Sequence, residues 1–422
     1  MTSPKFYQLS KSERLARLVE ASQLSKKDAQ FLAQSQPLAD ELADSMIENY
    51  IGQYHLPLGI VQDVMVAGKV YQVPMAIEEP SVIAAANNAA KMMRLNGGVT
   101  IESSRRVMFG EVVLTDLPQL ADAVKWVDNH FTVLQAVAQK AHPSIVKRGG
   151  GLQKIATTIV ENRFLKLNLE IDTKAAMGAN IVNTICEAIA HAVQATLGGT
   201  ILLSVLTNAA FGSVVKASVT LNPATLATAT LTGEAVAQRL IDATQFAQFD
   251  VARATTHNKG IMNGIDAVIM ATGNDWRAIE AGAHSYAART GHYQPLTAWS
   301  WTTDHQLCGQ IAVPLPVGIV GGSIGILPTV QVAQRLMAIE TVEELAGVIA
   351  AIGLGQNLAA LKALVSDGIQ KGHMALQAKS LAIAVGATAS ELTTLLPQLL
   401  KAPHLNTETA TTLLSQIRAE NR

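Results

Sequence analysis

The 422 residues carry 32 Lys plus Arg against 33 Asp plus Glu, a net charge of −1 with no long run of either sign. That balance removes the electrostatic signature of proteins that bind nucleic acid or anionic membranes. At roughly 100–200 residues per domain the length predicts two or three units and a cleft between them, and 49% hydrophobic but only 4% aromatic residues predict cores of Ala, Leu, Val and Ile.

Met1–Leu18 is polar and charged and lacks the apolar core of a signal peptide, so a cytoplasmic protein is expected. Ser10–Tyr50 predicts helices. Ser10 with Glu13 forms a capping box, Ser25 before Asp28 is a second capped start, and Leu15, Leu18 and Val19 recur at helical spacing. Ile51–Val73, punctuated by Gly52, Pro57, Gly59 and Gly68, predicts short strands and turns. An Ala-rich helix follows Pro80 over Ser81–Met93, which puts Glu78 and Glu79 at or just before a helix start.

Next come a strand (Val107–Leu114), one long helix (Leu117–Lys140), two strands (Ile155–Val160 and Leu165–Ile171), a helix (Ala179–Leu197) and a strand (Thr200–Leu206), with a further strand over Ser213–Leu221. This β-α-β-β-α-β order is the split pattern of ferredoxin-like units and marks a compact insertion. Helices return at Gly233–Phe246, Asp275–Thr290, Thr341–Ile349 and Asn357–Leu364, with Gly-rich loops between them. Ile311–Leu327 is the longest apolar tract, but its two prolines and four glycines read as loop and buried strand, short of the roughly 20 residues of a bilayer span. Gly372–Arg422 predicts a helical terminal flap. Cys186 and Cys308 stand far apart with no Cys/His cluster, so two reduced thiols and no metal are expected.

Reactive side chains are densest over Arg253–Trp276, where Arg253, His257, Asn258, Lys259, Asn263, Asp266, Asn274 and Asp275 alternate with small residues and with Gly260, Gly264 and Gly273. Singly, each is more ordinary than catalytic: a lysine is usually a solvated surface group, and an Asp before Trp276 is usually a helix cap. The same holds for Glu79 in EEP, which suits a helix start, and for His373 in GHMAL.

Their combination resembles class II 3-hydroxy-3-methylglutaryl-CoA reductase. ENYIGQYHLPLG (Glu48–Gly59), VPMAIEEPSVIAAA (Val73–Ala86), MGAN (Met177–Asn180), THNKGIMNGID (Thr256–Asp266), ATGNDWRAIEAGAH (Ala271–His284), PVGIVGG (Pro316–Gly322) and GIQKGHMAL (Gly368–Leu376) look like the family's signatures in the family's order, over nearly the whole chain. The resemblance implies an α+β fold in three parts: a large, mainly helical substrate domain over 1–106 and 208–367, an inserted ferredoxin-like cofactor domain over 107–207, and a C-terminal helical flap over 368–422. It also implies reversible reduction of the CoA thioester to mevalonate and free CoA by two hydrides from a nicotinamide cofactor, in the mevalonate route to isoprenoids.

By that resemblance Glu79, Lys259, Asp275 and His373 take the four catalytic positions, and Arg253, Ser81, Asn208 and Gln356 contact substrate. Hydride attack on a thioester carbonyl builds an oxyanion that a protonated lysine can stabilise. A nearby Asp orients that lysine, a histidine protonates the departing thiolate, and a glutamic acid protonates the second alkoxide. Arg253 suits the free carboxylate of the substrate as a planar donor. The cofactor is expected around Gly149–Gly151 and at Met177, Gly178, Ala179 and Asn180, where glycines and a helix start suit a pyrophosphate.

No GxGxxG occurs, so a Rossmann domain is not expected. Lys154 stands three positions after the triple glycine, where NADH-preferring relatives carry an acid, and implies NADPH preference. Ala175 replaces a further acid of the relatives just before MGAN. The resemblance also implies a homodimer whose active sites take residues from both subunits. The rival readings are a reductase of a different acyl-CoA on the same scaffold, which need not keep Arg253, and a non-catalytic CoA-binding subunit, which would lose catalytic positions.

Overall fold

The computed structural model describes residues 4–102, 106–366 and 369–420, without the side chains of 369–376 and 389. Helices α1 (Lys11–Glu20), α2 (Lys26–Gln34) and α3 (Asp40–Met46) open the chain. Ser10 and Glu13 close the capping box expected of them, and Ser25 caps α2. The hairpin β1 (Leu58–Val66) and β2 (Lys69–Ala76) leads to α4 (Pro80–Leu95), which begins at Pro80 because proline fits the first helical position.

A short strand β3 (Thr100–Glu102) precedes β4 (Met108–Thr115), α5 (Leu120–Asn129), α6 (Phe131–Ala141), α7 (Pro143–Lys147), β5 (Gly151–Val160), β6 (Phe164–Asp172), α8 (Ala179–Leu197) and β7 (Thr200–Thr207). The antiparallel sheet made here has the order β5-β6-β4-β7. Its inner face and α8 bury one core, with Leu165, Leu167, Leu169, Ile171, Ile185 and Ile189 fully enclosed. The single helix expected over Leu117–Lys140 is two: His130 ends α5, its N–H bonded to Trp126 O, and its ring stacks on Trp126 at 4.4 Å. No glycine or proline marks that break.

The chain continues through β8 (Val214–Leu221), α9 (Gly233–Phe249), α10 (Val251–Ala271), α11 (Trp276–Ala287), β9 (Thr297–Trp301), β10 (Leu307–Pro314), α12 (Pro328–Met337) and α13 (Val342–Val365). Antiparallel β3, β8, β10 and β9 form a second four-stranded sheet. It packs with β1, β2, α4, α9, α10 and α13 around the larger core. Helices α14 (Ile369–Ala384), α15 (Ala389–Lys401) and α16 (Thr407–Glu420) enclose a small separate core of Ala378, Leu395, Leu399 and Leu414. The whole is a mixed fold of helices and antiparallel sheets.

Two glycine readings need correction. The helices expected at Thr341–Ile349 and Asn357–Leu364 are the single α13, and the Arg253–Trp276 run is mostly the single helix α10. Glycines there serve close packing rather than turns. A Cβ on Gly353 would lie 2.9 Å from Ile265, one on Gly355 2.8 Å from Met93, and one on Gly264 3.1 Å from Gln356. Only Gly273, with φ +69°, uses the freedom of glycine to end α10. By length and hydropathy α13, rather than Ile311–Leu327, is the helix that could cross a bilayer, yet 72% of its apolar window is buried inside the protein.

Candidate active site

Glu79 caps the start of α4, and its carboxylate is held from two sides. Ser81 Oγ donates to Oε1 at 2.9 Å, and Lys259 Nζ lies 3.4 Å from Oε2. Glu79 and Lys259 lie 180 residues apart in the chain. Lys259 sits midway along α10, a helix started by Asp250, whose carboxylate accepts from Arg253 N–H at 2.6 Å. The lysine ammonium is largely solvent-facing, with 62% of its side chain exposed, which leaves it free to meet a ligand.

Arg253 is half-buried and its Nε has no hydrogen-bond partner among the described residues. Gln356 of α13 is buried at 4% exposure against Gly264 of α10, and its Oε1 is likewise unpartnered. Unpaired buried polar groups cost stability and are kept where they have a use. Asn208 follows β7, is exposed, and its carbonyl lies against Gly282 of α11.

Asp275 stands at the turn between α10 and α11. It is the N-cap of α11, where Oδ1 accepts from the N–H groups of Arg277 and Ala278, each at 3.1 Å, and pairs with Arg277 Nε at 3.5 Å. Helix α10 continues twelve residues from Lys259 to Ala271 before the turn to Asp275, about 18 Å of helical rise. Lys259 and Asp275 of one chain form no ion pair with each other: the first pairs with Glu79, the second with Arg277. His373 falls on α14, and its side chain lies outside the described residues.

The residues expected at the cofactor gather on the β5-β6-β4-β7 unit. Helix α8 begins at Ala179 behind Gly178, which is left-handed at φ +88° and offers no side-chain cap, so first-turn N–H groups of Ala179 and Asn180 are left for an anion. A Cβ on Gly178 would lie 2.4 Å from Thr173, and one on Gly150 2.5 Å from Asp172 O. Lys154 stands at a bulge of β5, with 61% of its side chain exposed and Nζ 4.0 Å from Glu170 of β6. Ala175 accepts Ile319 N–H through its carbonyl at 2.9 Å.

A buried network and a partly buried one flank α10. His257 Nε2 lies 2.6 Å from Thr297 Oγ1 and accepts from Asn357 Nδ2 at 3.0 Å, while Trp299 Nε1 donates to Asn357 Oδ1 at 2.9 Å. Burial, helped by Arg253, pushes this histidine down to about 4, so it stays neutral. Across the helix, burial and the neighbouring Glu280 carboxyl push Asp266 up to about 9. Glu280 is held below its usual range chiefly by His284, whose Nε2 lies 2.6 Å away, and the Tyr293 hydroxyl lies 2.6 Å from His284 Nδ1. The proton of the pair therefore rests on Asp266. Nothing in the spacing of the sequence marks this pairing of α10 with α11.

A family model described as hydroxymethylglutaryl-coenzyme A reductase matches residues 11–378. The chain belongs to that family. A 3-hydroxy-3-methylglutaryl-coenzyme A reductase of Archaeoglobus fulgidus is 40% identical over 99% of this chain and 94% of its own length. A probable reductase of the same name from Borreliella burgdorferi is 37% identical over 79% of this chain and 76% of its own. The reductase structure from Streptococcus pneumoniae superposes with TM-score 0.84 at 42% identity, over 98% of this chain and 99% of that one. A second structure from that organism, described as class II and bound to NADPH in open conformations, gives TM-score 0.82 at 42% identity, covering 97% of this chain and 100% of that one. Membership makes this chain an oxidoreductase that reduces the hydroxymethylglutaryl thioester of coenzyme A to mevalonate.

Proposed function

We propose that Lys259, Glu79, Asp275 and His373 carry this reduction, with Lys259 at the reacting carbonyl. The observation behind it is the Glu79–Lys259 pair at 3.4 Å, with Ser81 on the other carboxylate oxygen. A bound nicotinamide supplies hydride in each of the two reductions. When the thioester carbonyl becomes an oxyanion, the Lys259 ammonium stabilises it. Collapse of the resulting thiohemiacetal breaks the C–S bond, and His373 gives the leaving thiolate its proton. The aldehyde left behind is reduced to an alkoxide, and Glu79, which has to carry a proton when this step begins, gives it to that oxygen and is left as the carboxylate. Arg253 pairs with the free carboxylate of the substrate, and Ser81, Asn208 and Gln356 bind its polar groups.

The residues around α8 suit a dinucleotide: the helix start at Gly178 has no side-chain cap and leaves first-turn N–H groups for phosphate oxygens. On this reading Met177, Gly178, Ala179 and Asn180 hold the pyrophosphate, and Lys154 attracts a 2′-phosphate, so NADPH is preferred. The NADPH bound to the Streptococcus pneumoniae relative agrees with that assignment. Residues 107–207 then form the inserted ferredoxin-like cofactor domain, 1–106 and 208–367 the substrate domain, and 368–422 the flap that delivers His373.

We also propose a cytoplasmic homodimer with shared sites. Within one chain Asp275 is engaged by Arg277 and Ala278 and does not pair with Lys259, which supports a second copy as the source of the Asp beside each lysine. Purified protein with hydroxymethylglutaryl-CoA should oxidise NADPH and release CoA thiol, and Lys259→Ala should abolish both. Undiminished turnover by Lys259→Ala would remove the lysine from the chemistry.

A further inference from the structure

The segment Val317–Val320, which links β10 to the loop before α12, touches both halves of the site. On one side it meets the cofactor unit: Ile319 N–H donates to Ala175 O at 2.9 Å, and Val320 bridges Ala176 in parallel. A Cβ on Gly318 would lie 2.6 Å from Met177 N, so only glycine lets this segment rest against the residue that precedes the α8 cap. Thr173, itself buried, ties the same turn by donating to Ala176 O at 2.8 Å and Met177 O at 3.2 Å.

On the other side the segment meets the turn that carries Asp275. Gly318 N–H donates to Asn274 Oδ1 at 2.7 Å. The Asn274 amide nitrogen faces back to Thr272 Oγ1 at 3.2 Å, and its backbone N–H bonds Ile269 O at 3.0 Å. The amide thus uses its acceptor on the crossing segment and its donor on its own turn. Arg106 clamps the far edge, donating to Lys174 O, to Ala176 O at 2.8 Å, and to Val317 O. Its guanidinium is desolvated by burial, a cost that the three carbonyl contacts offset.

We propose that Asn274 is a positioning residue: through Gly318 it fixes Asp275 relative to the cofactor-bearing start of α8 in the same chain. This rests on the roles given above to Asp275 and α8. One chain then presents its catalytic acid and its cofactor helix as a single rigid block, with Arg106 as the second clamp. Loss of the Asn274–Gly318 bond lets the segment behind Met177 move and changes the register between acid and nicotinamide.

The test compares Asn274→Ala, Gly318→Ala and the double variant, each checked for folding by circular dichroism. NADPH affinity is read without substrate by nicotinamide fluorescence, and kcat and KM are read with hydroxymethylglutaryl-CoA. Asn274→Ala should weaken NADPH binding about 3- to 10-fold, the scale of one lost hydrogen bond. It should lower kcat at saturating NADPH by more than that, with the KM for hydroxymethylglutaryl-CoA within about twofold of wild type. The double variant should be little worse than Gly318→Ala alone, because the Cβ that meets Met177 N already displaces the N–H that Asn274 accepts. Wild-type NADPH affinity in folded Asn274→Ala, or strictly additive effects in the double variant, overturns the proposal. If the unaltered protein fails to turn over hydroxymethylglutaryl-CoA, the assigned mechanism fails instead, and the NADPH affinities still decide this one.

Discussion

Lys259 Nζ approaches one oxygen of Glu79 at 3.4 Å while Ser81 Oγ donates to the other at 2.9 Å, so a single carboxylate couples the start of α4 to the middle of α10. Replacing Glu79 by Gln keeps a partner for Ser81 but removes the group that passes a proton to the second alkoxide. Glu79→Gln should lose about 100-fold or more in the rate of mevaldehyde reduction, the usual scale of a lost general acid. Ser81→Ala should cost about tenfold or less. Parallel assays of NADPH oxidation with mevaldehyde check both, and equal losses would show that Glu79 acts only through its hydrogen bonds.

Because Asp275 forms no ion pair with Lys259 of the same chain, the proposed homodimer can be tested by complementation. Lys259→Ala and Asp275→Asn should each be inactive alone. Co-expressed in equal amounts they should recover about one quarter of wild-type activity, since half the dimers are mixed and each mixed dimer has one intact site of two. A mixture that stays inactive would place both residues in one chain's site.

Lys154 projects from the β5 bulge with most of its side chain in solvent. Lys154→Asp substitutes repulsion for attraction at a 2′-phosphate, so the ratio of kcat/KM for NADPH over NADH should fall by about tenfold or more. The substrate KM should not move. An unchanged ratio would remove Lys154 from cofactor choice.

The buried networks predict how stability varies with pH. Asp266 is raised from 3.8 to about 9, so its contribution is complete below pH 3.8 and is lost as pH climbs through 9; the raised His284 acts in the same direction. His257, lowered from 6.5 to about 4, contributes fully above pH 6.5, and that contribution is lost as pH falls through 4. Thermal melts should therefore give a maximum between the acid and alkaline limbs. Asp266→Asn should flatten the alkaline limb and leave the acid limb in place. An unchanged alkaline limb would mean that Asp266 is ionised in the folded protein.

Local signals were legible where they follow from local chemistry. The Ser10–Glu13 capping box, the Pro80 helix start and the α8 limits at Ala179 and Leu197 are all readable from adjacent residues. His130 was not, because stacking on Trp126 and a change of backbone angle divide α5 from α6 without a helix-breaking residue. Gly353 and Gly355 misled for the opposite reason: they look like breaks but admit Ile265 and Met93. In the site, the family motifs indicated Glu79 and Lys259 together. Asp275 followed Lys259 closely in sequence, yet within one chain its carboxylate binds Arg277 and Ala278 at the start of α11 and not Lys259. The Asp266–Glu280 pair and the Arg106 and Asn274 contacts join segments remote in sequence, and only tertiary packing creates them.

The burial of α13 sets an order on how this molecule can assemble. The core beneath the β5-β6-β4-β7 sheet draws its buried residues from Met108 to Val193, one contiguous stretch, so it can close while the rest of the chain is still being synthesised. The larger core includes Val61, Val73 and Met75 from the β1–β2 hairpin but also Leu345, Ile349, Leu354 and Leu358 of α13. Its N-terminal half must wait, apolar face unsatisfied, until the ribosome has delivered nearly the last central helix. Such distant contacts fold slowly and leave sticky intermediates, and a nascent chain arrested before Val342 should bind holdase chaperones more tightly than one arrested after Val365.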